Sequence, residues 1–77
     1  MPRRGPADPV AQEFGAAIRT ARTERGETLD QVANRIESMD AKYLGEIERG
    51  WHAPTIPTAK RIADALDVPL SELVRDL

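Results

Sequence analysis

Apolar residues recur at helical spacing in five stretches of this 77-residue chain. The clearest stretch places Leu29, Val32 and Ala33 at i, i+3 and i+4, and Ile36 follows at i+7. This spacing forms one apolar stripe on a helix of about two turns. No stretch shows the alternating pattern of a β-strand. The five stretches cover residues 10–21, 29–36, 43–47, 56–66 and 70–77, and they predict an all-α fold of five helices.

Residues of capping type mark where these helices begin and end. Four polar side chains precede the first four stripes as predicted N-caps: Asp8, Thr28, Asp40 and Thr55. Gln31 follows Thr28 by three residues and completes a predicted capping box. Gly26 and Gly50 follow the first and third stripes, where glycine commonly terminates a helix. The capping residues therefore predict the same helices as the apolar pattern.

The link between the second and third helices is short. Residues 37–40 leave too little chain for an independent loop. The two helices must then cross sharply, and the third helix can protrude into a groove of DNA. The pattern therefore predicts a helix-turn-helix at helices two and three.

Charge is unevenly distributed along the chain, although the formal net charge is only -2 and the sequence pI is about 5.3. Most of the excess positive charge lies before residue 26, so a locally positive face is compatible with an acidic protein. Residues 1–7 contain two prolines, a glycine and two arginines with almost nothing to bury, which predicts a flexible basic N-terminal arm. Arg3 and Arg4 either remain solvated there or enter a minor groove. Residues 8–77 form the predicted domain.

Several function classes find no support in the sequence. The chain has no cysteine, which excludes disulfides and thiolate zinc sites, and its one histidine lacks a partnered carboxylate spacing for a metal. No nucleophile and base have a suggestive spacing, so we expect no enzyme and no cofactor. No apolar run approaches the roughly 20 residues of a membrane span, and the N-terminus lacks a signal peptide's apolar core. We expect a cytoplasmic protein without a membrane contact.

Residues 14–74 resemble the Cro/C1-type, or Xre, family of helix-turn-helix proteins. The matching elements are Ile18-Arg19, Arg22, Gly26, Thr28, Val32-Ala33, Tyr43-Leu44, Ile47-Glu48-Arg49-Gly50, Pro54-Thr55 and residues 60–66. This resemblance implies a five-helix, lambda-repressor-like DNA-binding domain. It also implies a homodimer that binds double-stranded operator DNA with its third helix in the major groove.

The resemblance also implies which residues of the third helix face DNA: Asp40, Ala41, Lys42, Gly45 and Glu46. Lys42 would bond either a guanine edge or a phosphate, and Glu46 would accept from a cytosine amino group.

Three positions depart from the family pattern. The spacing from Ala33 to the third helix is one residue longer than expected, and Glu37 or Ser38 occupies the place of a turn glycine. Leu29 replaces a glutamine that commonly contacts the DNA backbone, and Gly45 replaces a residue that commonly carries a hydroxyl. The last two changes remove side-chain contacts to DNA.

Five further residues are candidates for contact with the DNA backbone. Tyr43 is either a partly buried spacer or a phosphate contact through its hydroxyl. Arg19 and Arg49 are either solvated helix charges or phosphate contacts. Thr28 and Thr55 are helix caps first, and the exposed amides behind each make them phosphate-site candidates second.

Other residues are expected to have structural roles. By resemblance, Arg22 and Glu48 form an ion pair that joins helix one to helix three. Trp51 is expected to cover the edge of the core, with a sugar-backbone or dimer contact as alternatives, and His52 is expected at the surface. The last helix carries more apolar surface than eight residues need, which predicts a dimer interface at Leu70, Leu73, Val74 and Leu77.

The leading hypothesis is a sequence-specific transcriptional regulator that binds an inverted-repeat operator as a homodimer. Restriction-modification controllers, antitoxins and phage repressors all fit this description, and a toxin or a polymerase is a conceivable protein partner. The alternative is a protein-interaction module, antitoxin-like or antirepressor-like, whose acidic third helix has weak DNA affinity. A third hypothesis is that the chain is the DNA-binding domain of a longer regulator.

Overall fold

Residues 8–77 are described by the computed structural model, and they contain five α-helices. These are α1 (Pro9–Glu24), α2 (Leu29–Ala33), α3 (Ala41–Glu48), α4 (Ile56–Ala65) and α5 (Leu70–Leu73). The predicted all-α, five-helix fold is confirmed. The predicted basic arm at residues 1–7 lies outside the described residues. No helix within residues 8–77 is long and apolar enough to cross a membrane.

The four predicted N-caps are confirmed. Asp8, Thr28, Asp40 and Thr55 each accept a hydrogen bond from a backbone N–H in the first turn of the following helix, at 2.7–3.3 Å. At α2 the capping box is complete, because the side chain of Gln31 accepts in return from the backbone N–H of Thr28 at 2.8 Å. Loss of one such cap costs about 1 kcal/mol. Local sequence therefore defines where α1 to α4 start.

The turn between α2 and α3 differs from the sequence-based prediction. α2 ends at Ala33 rather than near Ile36, and turns continue to residue 38, although Ile36 itself is still buried. Ser38 has a φ of 62°, in the left-handed region that usually favours glycine. The turn therefore closes through Ser38, one of the two residues predicted to stand in place of the family's turn glycine.

The core lies between α3 and the helices that surround it. α3 packs against α1 and α2, α4 packs against α2 and α5, and α5 returns to α1. The largest fully buried side chains are Ile18, Val32, Leu44, Ile47, Ile62 and Leu66. Burying each of them stabilises the fold by about 1.5 to 3 kcal/mol. The buried face of α3 is thereby held in place, which defines the orientation of its opposite face.

The last helix requires a correction to the predicted dimer interface. α5 has four residues instead of eight, and its contacts with α1 and α4 turn Leu73 into the core. Leu73 is only 2% exposed, so its side chain is covered within one chain. Leu70 is half-buried, whereas Val74 and Leu77 remain 39% and 50% exposed. The apolar stripe is thus divided between the core and the surface.

Candidate nucleic-acid interface

The N-terminal half of α3 presents a cation and a phenol to solvent. Asp40 caps this helix, so its carboxylate is engaged by the backbone N–H of Tyr43 at 2.7 Å. Ala41 is half-buried, whereas the side chain of Lys42 is 77% exposed and that of Tyr43 is exposed as well. Lys42 and Tyr43 are therefore the residues of this half that offer donors to an incoming ligand.

Gly45 and Glu46 do not lie on the exposed surface where we expected them. Both residues are buried, and Glu46 is only 5% exposed. Its Oε2 accepts from Lys42 Nζ at 3.2 Å, and its Oε1 lies 2.9 Å from His52 Nε2. A β-carbon added at Gly45 would meet Leu29 Cδ1 at 3.3 Å. The carboxylate of Glu46 is thus engaged within the protein rather than directed to a base edge.

The loop after α3 folds back on this helix. The His52 ring stacks on the Tyr43 ring, with centroids 5.1 Å apart and an interplanar angle of 27°. Sequence reasoning placed His52 at the surface, where its side chain is indeed accessible, but it missed these contacts with Tyr43 and Glu46. Nothing in the spacing of the three residues distinguishes this arrangement from unrelated surface positions, because it depends on the path of the loop.

The other four candidates for contact with the DNA backbone are exposed, but they lie on different parts of the fold. Arg19 lies on α1, Thr28 and Thr55 precede α2 and α4, and Arg49 follows α3. The guanidinium of Arg49 lies 4.5 Å from the ring centroid of Trp51, a cation–π contact. Trp51 is half-buried, as expected for a residue that covers the edge of the core.

An ion pair between Arg22 and Glu48 links α1 to α3. Arg22 Nε and Nη2 donate to the two carboxylate oxygens of Glu48 at 2.7 and 3.0 Å, and Arg22 Nη1 donates to the carbonyl of Glu27 at 2.8 Å. The two side chains of the pair are 14% and 5% exposed. The hydrogen bonds that Arg22 donates to Glu48 raise the pKa of Arg22 above its ordinary value. The pair expected from the family resemblance is therefore present, and its bidentate geometry defines the angle between the helices.

Glu27 is a second ionic centre that the sequence did not reveal. Its carboxylate accepts from Arg25 Nε at 2.8 Å, from Arg35 Nη1 at 2.9 Å and, in a further contact, from Arg35 Nη2. Hydrogen bonds from Arg35 and then from Arg25 lower the pKa of Glu27 to about 2. Arg35 also donates to the carbonyl of Ala65 at the end of α4, at 3.1 Å. The centre thus ties the segment before α2 to the segment after it and to α4.

An apolar groove lies away from α3. Its cavity of about 230 Å³ is formed by α1, α4, α5 and the loop before α4. Four of its lining residues are large exposed hydrophobic side chains: Val10, Ile56, Val74 and Leu77. Within residues 8–77 no cluster of three or more histidine, aspartate or glutamate side chains could hold a metal ion.

Residues 18–73 match the model of the helix-turn-helix family HTH_3. The chain belongs to this family of Cro/C1-type helix-turn-helix DNA-binding domains. It is 36% identical over 67 residues to the transcriptional regulator ClgR of Mycobacterium tuberculosis, a match that covers 87% of this chain and 59% of that protein. The chain therefore spans about 59% of the length of the curated relatives that it matches.

Solved structures show the same fold. The structure is similar to that of the clp gene regulator ClgR from Corynebacterium glutamicum, with a TM-score of 0.82, 25% identity, and coverage of 90% of this chain and 88% of that one. The BldD DNA-binding domain of S. venezulae gives 0.77 with 33% identity, covering 86% and 97% of the two chains. The restriction-modification controller protein C.AhdI from Aeromonas hydrophila gives 0.76 with 30% identity, covering 82% and 94%. The five-helix, lambda-repressor-like HTH fold is thereby established.

Proposed function

We propose that this protein is a cytoplasmic transcriptional regulator that binds an inverted-repeat operator as a homodimer, with α3 in the major groove. The observation that carries this proposal is the orientation of α3, which has one face buried in the core and the other exposed to solvent. Its buried face is packed in the core and fastened by the Arg22–Glu48 pair, while Lys42 projects from its first turn with 77% exposure. A rigid helix with an exposed donor near its N-terminus suits direct reading of base edges. Two relatives, a transcriptional regulator and a DNA-binding domain, agree with this role.

The proposed contacts divide between base reading and positioning. Lys42 is the candidate for a guanine edge, and Tyr43 is a candidate for a phosphate through its hydroxyl. Arg19 and Arg49 are candidates for phosphate contacts, because both are exposed cations. Asp40 and Ala41 act by starting the helix at the correct place, since the Asp40 carboxylate is used as a cap.

Two exposed threonine caps complete the proposed interface. Thr28 and Thr55 cap the first turns of α2 and α4, and both residues are exposed. Anions bind favourably at such helix starts. We therefore propose phosphate contacts there in addition to the capping roles.

The proposed dimer interface is the apolar groove rather than the whole of the last helix. Val74 and Leu77 are exposed on it, Leu70 lies half-buried at its floor, and Leu73 is excluded by its burial. A second copy of the chain would cover these side chains and Val10 and Ile56 beside them. Two α3 helices would then enter successive major grooves about 34 Å apart.

A second candidate function is a protein-interaction module. The contact between Lys42 Nζ and Glu46 Oε2 favours it, because the carboxylate partly compensates the charge of Lys42, the one cation within α3. Weakened attraction to phosphates would leave α3 as a docking surface for a protein such as a toxin or a polymerase.

Selection of bound DNA separates the two candidates. Purified protein is incubated with a random duplex pool at near-physiological salt, and bound duplexes are amplified over several rounds and sequenced. The regulator hypothesis predicts an enriched inverted repeat with half-sites about one helical turn apart. If no sequence is enriched and binding is weak and salt-sensitive, the interaction module becomes the better assignment.

A further inference from the structure

We propose that Glu46 is a positioning residue for DNA recognition and that His52, in the loop after α3, belongs to the DNA-reading surface. The proposal concerns four residues, which we call the Glu46 cluster: Lys42, Tyr43, Glu46 and His52. It rests on the proposed DNA-binding function and adds to it a specificity-determining role for two residues that lie outside the exposed first turn of α3.

Lys42 and Glu46 carry charges opposite to those that would stabilise an isolated helix at their positions. Lys42 is the second residue of α3 and Glu46 is its sixth, so a cation lies near the positive end of the helix dipole and an anion near the negative end. The order Lys at i and Glu at i+4 is also the less favourable orientation of such a pair. Helix stability therefore does not explain these residue types. Positions that break a local rule in an otherwise consistent sequence are expected at functional sites.

Both oxygens of the buried carboxylate are directed to accessible partners. Oε2 accepts from Lys42 Nζ at 3.2 Å, and Oε1 lies 2.9 Å from His52 Nε2. A carboxylate accepts hydrogen bonds, so Nε2 of His52 is the donor in this contact. Glu46 thus restrains one exposed donor on α3 and one exposed ring in the loop. The side chains of Lys42 and His52 are 77% and 42% exposed, so removal of Glu46 strands neither of these two partners in a buried position.

The restraint extends to Tyr43 through the stacked rings of Tyr43 and His52, whose centroids are 5.1 Å apart. A contact group that is already ordered loses less conformational freedom on binding, so its alignment with a base edge or a sugar discriminates more strongly between sequences. The carboxylate also lowers the net positive charge near the phosphates, which weakens binding to every sequence. Glu46 is therefore expected to favour specificity over affinity.

The experiment compares wild-type protein with Glu46→Ala, Glu46→Gln and His52→Ala. Each protein is titrated against the operator duplex that wild-type protein enriches and against a scrambled duplex of the same composition. We expect the ratio of the two affinities to fall at least about fivefold in Glu46→Ala and His52→Ala. Glu46→Gln keeps one carbonyl oxygen, which can accept from one partner, whereas its amide nitrogen can accept from neither, so the ratio should fall less than in Glu46→Ala, while affinity for both duplexes rises.

One control variant and two further measurements separate positioning from folding. Asp64→Ala frees Lys60 from a comparable i, i+4 contact of 2.6 Å on α4 and should leave the affinity ratio unchanged. His is present once in the chain, so the imidazole signals in NMR spectra belong to His52 and should shift in Glu46→Ala but not in Asp64→Ala. Thermal unfolding of each variant confirms that it is folded.

The proposal is overturned if Glu46→Ala and His52→Ala keep the wild-type ratio, or if both lose affinity equally for the two duplexes. It is also overturned if Glu46→Gln lowers the ratio further than Glu46→Ala does, because glutamine keeps an acceptor for one partner and alanine keeps none. If wild-type protein enriches no operator at all, the proposed function fails first and this inference fails with it.

Discussion

Gly15 of α1 lies directly against the backbone carbonyl of Ile47 in α3. A β-carbon built at position 15 would be 2.2 Å from that oxygen and 2.5 Å from the carbonyl oxygen of Glu48. No side chain can occupy this space without moving the backbone of α3. The absence of a side chain at Gly15 is therefore what allows α1 and α3 to cross closely enough for Arg22 to reach Glu48.

Gly15→Ala should destabilise the fold by about 2 to 3 kcal/mol, even though alanine is the better helix former. Gly45→Ala is the matched control, because its β-carbon would meet only the far ends of the Leu29 and Arg49 side chains, at 3.3 Å and beyond. The control should change stability by less than about 1 kcal/mol. Urea unfolding followed by circular dichroism measures both, and equal effects of the two substitutions would refute the close crossing of α1 and α3.

Glu48→Ala should cost about 3 kcal/mol, at the low end for a buried pair, because Arg22 keeps 14% of its side chain exposed and retains its bond to the Glu27 carbonyl. The control is Asp64→Ala, which breaks the exposed contact with Lys60 and should cost about 0.5 kcal/mol or less. Chemical unfolding of both variants under one set of conditions gives the comparison. A loss in Glu48→Ala no greater than in the control would show that the pair does not fasten α3 to α1.

The lowered pKa of Glu27 predicts that the stability of the fold depends on pH in the acidic range. Its pKa is lowered in the folded protein from the ordinary 4.5 to about 2, mainly by hydrogen bonds from Arg35 and Arg25. The folded state therefore holds this proton less tightly than the unfolded state does. Its stabilising contribution is complete above about pH 4.5 and is lost as the pH falls toward 2.

The variant Glu27→Gln tests this dependence, because glutamine keeps the shape of the side chain but does not titrate. The difference in urea midpoint between wild type and Glu27→Gln should be largest near neutral pH and should shrink through the interval from about 4.5 to about 2. A difference that stays constant across this interval would contradict the proposed role of the carboxylate.

Lys42→Ala should weaken binding to the selected operator and relax preference at one base position by roughly 1 to 3 kcal/mol, if Lys42 bonds a guanine edge. Lys60→Ala removes the same charge from an exposed lysine on α4 and controls for the change in net charge. Repeating the duplex selection with each variant provides the measurement. An equal loss on all sequences would instead identify Lys42 as a phosphate contact.

Leu73→Ala and Leu77→Asp should separate folding from dimerisation. Leu73 is 2% exposed, so its truncation should cost about 2 to 5 kcal/mol of stability. Leu77 is 50% exposed on the apolar groove, so a charge there should leave the chain folded and dissociate the dimer. Thermal unfolding and sedimentation measure the two effects. A Leu77→Asp protein that sediments as wild type does would move the interface away from the groove.

Local features of the sequence were sufficient to predict where α1 to α4 begin. The N-caps Asp8, Thr28, Asp40 and Thr55 act within one turn of their own positions, so residue type and spacing reveal them directly. The apolar stripes likewise follow from the helical period. The apolar spacing does not show where a helix ends. It continues to Ile36, but α2 has already ended and Ile36 is buried in the turn that follows.

Tertiary structure decided which surfaces remain available for function. A stripe shows that a side chain is apolar, but the neighbouring helices determine whether it is covered, and α5 therefore turns Leu73 inward while Leu77 stays exposed. Contacts over many residues have no local signature, so the Glu27 centre and the stacking of His52 on Tyr43 could not be read from spacing. The sequence by itself determined the five-helix fold and the helix-turn-helix, because both depend on short-range periodicity and capping. Only the packing of α3 and the path of the loop after it decided that Glu46 is buried and Lys42 exposed, because burial depends on what surrounds a residue in space.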